Sequence, residues 1–205
     1  MAEAAQILPE IITTVAEFLD WENQQATRHE WIDGRIVAMT GGSIRHAQLI
    51  ARLVRRLGNH LDGTPCIVVA CEVRVQVAKN MFYPDVVVTC ARHESQDMVC
   101  KDPKLIIEVL SNSTASHDRT KKRIAYQQIE SLEEYGLVAQ DVQHITLFRR
   151  AEGWRQIVVI EGALELRSVG WIGELDDLYR DFLIDSVGKA TGILPVLQRR
   201  RTYRR

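Results

Sequence analysis

The chain has 205 residues, 46% of them hydrophobic and 26% charged, with a formal net charge of −1. This composition excludes a disordered, collagen-like or low-complexity protein and suits one large globular domain. No uncharged apolar run approaches the ~20 residues that cross a bilayer, and Met1 to Glu10 lacks the basic-then-apolar order of a secretory signal, so the expectation is a cytoplasmic protein with no membrane partner.

In chain order, Thr14 to Trp21 predicts a short helix, with Val15, Phe18 and Leu19 at helical spacing, Thr13 or Thr14 as its cap, and Glu17 three residues after Thr14 as in a capping box. Trp31 to Met39 reads as a hairpin or bent strand around Asp33-Gly34. Gly41-Gly42 breaks the chain and Ser43 stands at an N-cap position. Ile44 to Leu61 is the strongest helix. Leu49, Ile50, Leu53, Leu57 and Leu61 share an apolar face with Ala47 and Val54, while Arg45, Arg52, Arg55 and Arg56 lie largely outside it.

Four β-type stretches follow: Cys66 to Ala70, the alternating Glu72 to Val77, Phe82 to Thr89 and Leu105 to Leu110. The last two read as interior strands covered on both faces. A second helix is expected from about Ser116 to Ile129, then strands at Gly136–Ala139, Ile145–Phe148 and Gln156–Ile160. The fold class is therefore α/β, with a mixed central sheet flanked by helices. The expected domain covers residues 13–183, between an N-terminal extension (1–12) and a basic tail (184–205).

Five arginines crowd the last seven positions, so the remainder carries a charge of about −6. Such a body does not attract nucleic acid in bulk; any binding must be local. The four cysteines, Cys66, Cys71, Cys90 and Cys100, form no C-x-x-C pair, so reduced thiols are expected and a structural zinc site is not.

Two carboxylates stand where packing favours none. Asp85 follows Pro84 and precedes Val86-Val87-Val88; Glu108 interrupts Leu105 to Leu110. A carboxylate buried alone costs several kcal/mol or is driven to the neutral form. Its neutraliser is either a basic side chain in an internal salt bridge or a hard cation such as Mg2+ or Mn2+, which takes carboxylate, water and phosphate oxygens. Downstream, Asp118, Lys122 and Tyr126 stand on one helical flank, with Lys121 about 100° away from Lys122 around the axis.

The ordered set Pro84-Asp85-Val86-Val87-Val88, Ile107-Glu108-Val109-Leu110-Ser111 with Ser113-Thr114, and Asp118-Arg119 with Lys122 and Tyr126 resembles the bacterial putative restriction endonuclease family, formerly a domain of unknown function, of the PD-(D/E)XK nuclease superfamily. The likeness extends to Glu30, the Ile32 to Ile36 hairpin, Ser43, His46 and Glu134-Tyr135. It implies a restriction-endonuclease-like core and a Mg2+- or Mn2+-dependent phosphodiesterase site acting on DNA. In this resemblance Asp85 and Glu108 are the metal-binding acids and the Val109 carbonyl is the third protein ligand. Glu30 and His46 line the site, Glu30 toward metal and His46 toward phosphate or a proton. Restriction nucleases of this fold often dimerise, so a homodimer is compatible with it.

The superfamily places lysine two residues after the second acid, where this chain has Leu110. The resemblance points to a lysine supplied by the following helix, Lys122 first and Lys121 second. Arg45, Arg52, Arg119 and Lys121 are the candidate DNA contacts. The leading expectation is an endonuclease; a non-cutting nucleic-acid binder and a hydrolase of smaller phosphate esters are the alternatives, because fold alone does not decide chemistry.

Overall fold

The structure is a computed structural model describing residues 12–39, 41–110 and 118–180. The expected N-terminal extension except Ile12, most of the polar loop after Leu110 and the arginine tail lie outside the described residues.

Helix α1 (Val15–Glu22) is closed by the expected capping box: the Thr14 hydroxyl accepts from the Glu17 amide and the Glu17 carboxylate accepts from the Thr14 amide. Strands β1 (His29–Ile32) and β2 (Arg35–Ala38) pair antiparallel through Asp33 and Gly34. Both turn residues have positive φ, which is the requirement of a two-residue hairpin turn and the reason Asp-Gly serves there. Helix α2 (Ile44–Leu61) starts where Ser43 accepts from the His46 amide, and it buries Leu49, Ile50, Leu53, Leu57 and Leu61. Ala47 stays exposed.

Strands β3 (Ile67–Ala70), β4 (Arg74–Val77), β5 (Asn80–Phe82), β6 (Val86–Thr89), β7 (Val99–Cys100) and β8 (Pro103–Leu110) follow. The chain then makes a π-helical turn (Asp118–Lys122) and one α turn, α3 (Arg123–Tyr126). Strands β9 (Glu134–Ala139), β10 (Ile145–Arg149), β11 (Gln156–Val159), β12 (Ala163–Leu166) and β13 (Trp171–Glu174) lead to α4 (Leu175–Tyr179).

The strands form two large sheets and a hairpin. A six-stranded mixed sheet has the order β11-β10-β9-β8-β6-β3, with β8 and β9 parallel and every other pair antiparallel. A five-stranded sheet runs β2-β1-β5-β4-β7, and β12 pairs with β13. One face of the six-stranded sheet (Val86, Val88, Leu105, Ile107, Val109) packs under α2, α4 and the β12–β13 hairpin. Its other face (Val87, Ile106, Leu110, Tyr135, Leu137) meets Val75, Val77 and Phe82 of the second sheet, with Ala125 and Tyr126 of α3. Phe18 of α1 closes the far side on Trp31 and Met81.

The mixed α/β architecture is thus as read, and β8 is buried on both faces as its run of apolar residues implies. Much of what covers the second face is another sheet, whose short strands β5 and β7 carry too few residues to show a period. The expected second helix is shorter than its range, because the π turn and a single α turn end at Tyr126.

Two of the four thiols are not free: Cys66 and Cys90 form a disulfide. The register that pairs Ile67 with Thr89 makes them the next cross-strand pair, a juxtaposition created by β3–β6 pairing and invisible in the cysteine spacing. Cys71 and Cys100 remain thiols. No helix among the described residues is long and apolar enough to cross a membrane.

Candidate functional site

Strand register brings the two acids together. Val86 pairs with Ile107 in antiparallel β6 and β8, so the next pair outward is Asp85 and Glu108, and directly opposed residues project to the same face. The backbone binds them further: the Asp85 amide donates to Glu108 Oε2 (3.3 Å), and the Val109 amide donates to Asp85 Oδ2 (2.7 Å).

Glu108 is 3% exposed, on the face shared with Ile106 and Leu110. Its Oε1 accepts from Lys122 Nζ (3.2 Å) and from the Tyr126 hydroxyl (3.1 Å). Lys122 and Tyr126 are four residues apart across the junction of the π turn and α3, so both reach the same oxygen. Lys122 Nζ also lies 2.8 Å from Glu30 Oε1, and that carboxylate oxygen accepts from the Tyr83 amide (2.9 Å). Glu30 reaches this place from β1 in the second sheet, so the cluster bridges the two sheets.

On the other side, His46 Nε2 lies 3.3 Å from Asp85 Oδ2. His46 is in the first turn of α2. Gly42 makes room for its ring, since a Cβ there would sit 2.6 Å from His46 Nδ1. The Ser43 hydroxyl donates to Gln140, and Arg45 pairs with Asp141, which ties the start of α2 to the end of β9 beside the site.

The structure therefore brings together Glu30, His46, Asp85, Glu108 and Lys122. It separates Lys121, whose exposed ammonium is 3.9 Å from Asp33 at the hairpin tip. Of the two lysines, Lys122 is the one at the carboxylates. Arg45 stands at the rim with Asp141, and Arg52 lies further along α2, bonded to the Leu178 carbonyl. The side chain of Arg119 lies outside the described residues.

Three carboxylates converge on this region with one ammonium and one imidazole, so negative charge is in excess. Burial first, then the charges of Glu108 and Glu30, holds the Tyr126 hydroxyl well above its ordinary pKa, which keeps it a proton donor to Glu108. Cys71, at positive φ, is held by its amide on the Asp85 carbonyl (3.2 Å), and burial followed by the charges of Asp85 and Glu108 pushes its thiol up to about 11. Neither the Cys71 contact nor the Tyr83 amide has a signal in the sequence, because both arise from backbone approach across strands.

Among the described residues, no three His, Cys, Asp or Glu side chains, these included, stand close enough together to hold a metal ion by themselves. Two carboxylates with a main-chain carbonyl still suit Mg2+, which usually takes one or two protein carboxylates and keeps water. Asp85 Oδ2 takes both of that carboxylate's bonds, and Oδ1 has no hydrogen-bond partner among the described residues. An uncommitted hard oxygen beside a second carboxylate fits such an ion.

A family model described as putative restriction endonuclease (Uma2) matches residues 15–172. An uncharacterized protein of Synechocystis, slr1290, is 35% identical over 170 residues, covering 80% of this chain and 90% of its own length. A second, sll1609 of the same organism, is 32% identical over 155 residues, covering 73% and 87%. The crystal structure of a putative nuclease belonging to DUF820 from Anabaena variabilis superposes with a TM-score of 0.70 at 18% identity, over 82% of this chain and 98% of that one, a likeness of fold.

Proposed function

Because this chain belongs to the Uma2 family of putative restriction endonucleases, we propose that it is a metal-dependent endonuclease hydrolysing DNA phosphodiester bonds. The observation that carries this reading is the opposition of Asp85 and Glu108 on paired strands, with Lys122 on the far oxygen of Glu108.

Asp85 and Glu108 would hold a Mg2+ or Mn2+ ion, with the Val109 carbonyl as a third ligand. In an extended strand a residue's N–H and C=O leave the same edge, and the Val109 N–H already faces Asp85. Such an ion, when bound, supplies Lewis-acid stabilisation of charge on the scissile phosphate and favours deprotonation of the attacking water.

The protein's own groups do the rest. Water attacks phosphorus, the bond to the leaving oxygen breaks, and a proton passes to that oxygen. Lys122, held between Glu30 and Glu108, presents fixed positive charge to the transition state without reorganisation. Tyr126 and the Asp85 amide fix the Glu108 rotamer. His46, at the Asp85 side, is placed to bind phosphate or carry a proton.

The test is cleavage of plasmid and single-stranded DNA with Mg2+, Mn2+ or EDTA, alongside Asp85→Asn and Glu108→Gln. Metal-dependent cleavage lost in both variants is expected. Cleavage that survives both, or that EDTA leaves intact, refutes the proposal. One observation favours a non-cutting binder instead: Lys122 is already engaged by two carboxylates. DNA retardation without cleavage under either metal supports that second reading.

A further inference from the structure

Outside the carboxylate cluster, a concentration of like charge lies on the outer face of α2. A cleft of about 420 Å³ is lined there by Gln48, Arg52, Arg55, Arg56, Asp177 and Arg180. Among the described residues that line it there are four guanidinium groups and one carboxylate, in a chain whose sequence before the arginine tail is net acidic.

Like charges held this close repel unless something anionic sits among them. Much of the cluster is fixed in place by main-chain acceptors. Arg52 donates to the carbonyls of Leu178 and Arg180, and Arg56 donates to that of Asp177 (3.0 Å), which orients both guanidiniums. Asp177, the one acid among the described residues that line the cleft, is shared between Arg56 (3.6 Å) and Arg180.

Among the described residues, Arg56 Nε is sealed from solvent with no hydrogen-bond partner, and Arg55, exposed, makes no hydrogen bond or ion pair. A buried N–H without an acceptor is costly and points to an oxygen supplied from outside.

We propose that this arginine cleft binds backbone phosphates of the nucleic acid on which the carboxylate site acts. The inference rests on the endonuclease reading for its choice of phosphate source, since a planar guanidinium fork suits any phosphate oxygen. The geometry of α2 favours the nucleic acid. His46, at the carboxylates, and Arg55, at the cleft, are nine residues apart on one helix, about 14 Å at 1.5 Å per residue. That span equals roughly four nucleotides at 3.4 Å per step along one strand. Arg45, Gln48, Arg52 and Arg55 follow at three- and four-residue intervals, a polar stripe from the site to the cleft.

The test measures binding apart from cutting. Anisotropy of a fluorescein-labelled 30-base-pair DNA is recorded with the full chain in EDTA across a salt series. Arg55→Glu is compared with wild type and with Arg155→Glu, an exposed arginine at the start of β11, at the opposite end of the six-stranded sheet from Asp85. Arg55→Glu is expected to weaken binding at least about fivefold and to flatten the log–log salt slope by about 1, with an unchanged melting temperature; Arg155→Glu should match wild type.

Binding by Arg55→Glu within twofold of wild type at unchanged slope overturns the proposal. So does calorimetry in which Arg55→Glu loses pyrophosphate binding while DNA binding is untouched, because the cleft then serves free phosphates. If DNA binds through Arg55 but is never cut under Mg2+ or Mn2+, the cleft stands and the endonuclease reading fails. If DNA is cut with Arg55 irrelevant to binding, the reverse holds.

Discussion

Replacing Lys122 by methionine removes the one ammonium between Glu30 and Glu108 while roughly keeping its volume. Lys122 Nζ lies 2.8 Å from Glu30 and 3.2 Å from Glu108, and all three side chains are at most 8% exposed. Breaking a buried pair by deleting one partner costs about 3–5 kcal/mol, because the remaining charge stays desolvated. Here two carboxylates lose the same cation, so the upper part of that range applies. Against a total stability of ~5–15 kcal/mol this is a large fraction. At roughly 2–4 °C per kcal/mol for a chain of this size, the melting temperature should fall by roughly 8–20 °C in EDTA.

Two controls give the loss its electrostatic meaning. Adding Glu30→Gln to Lys122→Met removes one of the stranded charges and should recover part of the stability. Mg2+ or Mn2+ should stabilise Lys122→Met more than wild type, since the ion no longer competes with an ammonium; a ligand at 100 times its Kd adds about 2.7 kcal/mol. Scanning calorimetry with and without metal reads all of this. A melting temperature within 2 °C of wild type, or a loss indifferent to both Glu30→Gln and metal, refutes the account of Lys122 as the compensating charge.

Gly42→Ala places a Cβ against the His46 ring and should lower cleavage by tenfold or more at nearly unchanged melting temperature; full activity would remove His46 from the working site. Reducing the Cys66–Cys90 bond, which closes a loop of 24 residues, should cost about 3 kcal/mol and lower the melting temperature by roughly 6–12 °C, measured with and without dithiothreitol. Burial pushes the Cys100 thiol up from 9.0 to about 11, so the folded protein holds that proton more tightly than the unfolded chain. Its contribution to stability is whole below pH 9 and is lost as pH rises toward 11, and Cys100→Ala should flatten denaturation midpoints across that window. Finally, Tyr126→Phe should reduce turnover more than binding, because it frees the Glu108 carboxylate without touching substrate; equal effects on kcat and KM would contradict that role.

The elements with many residues were legible in the sequence. Ile44–Leu61 shows its apolar face over five turns and its serine cap, and β8 shows itself as an apolar run broken by one acid. Asp85 and Glu108 stood out for the same reason: a charge inside a buried strand contradicts its surroundings, and that contradiction is written in one dimension. Lys122 and Tyr126 could be placed on one flank by helical spacing alone. The second sheet was not legible, because β5 and β7 have three and two residues and take their shape from their neighbours. Nor were the Cys66–Cys90 bond, the choice of Lys122 over Lys121, the Tyr83 amide under Glu30 or the arginine cleft. Each depends on which strand lies beside which and on where a π turn aims a side chain. Local sequence sets period, caps and the cost of a misplaced charge, whereas partners far apart in the chain are chosen only when the two sheets close on each other and the buried carboxylates must find their cation.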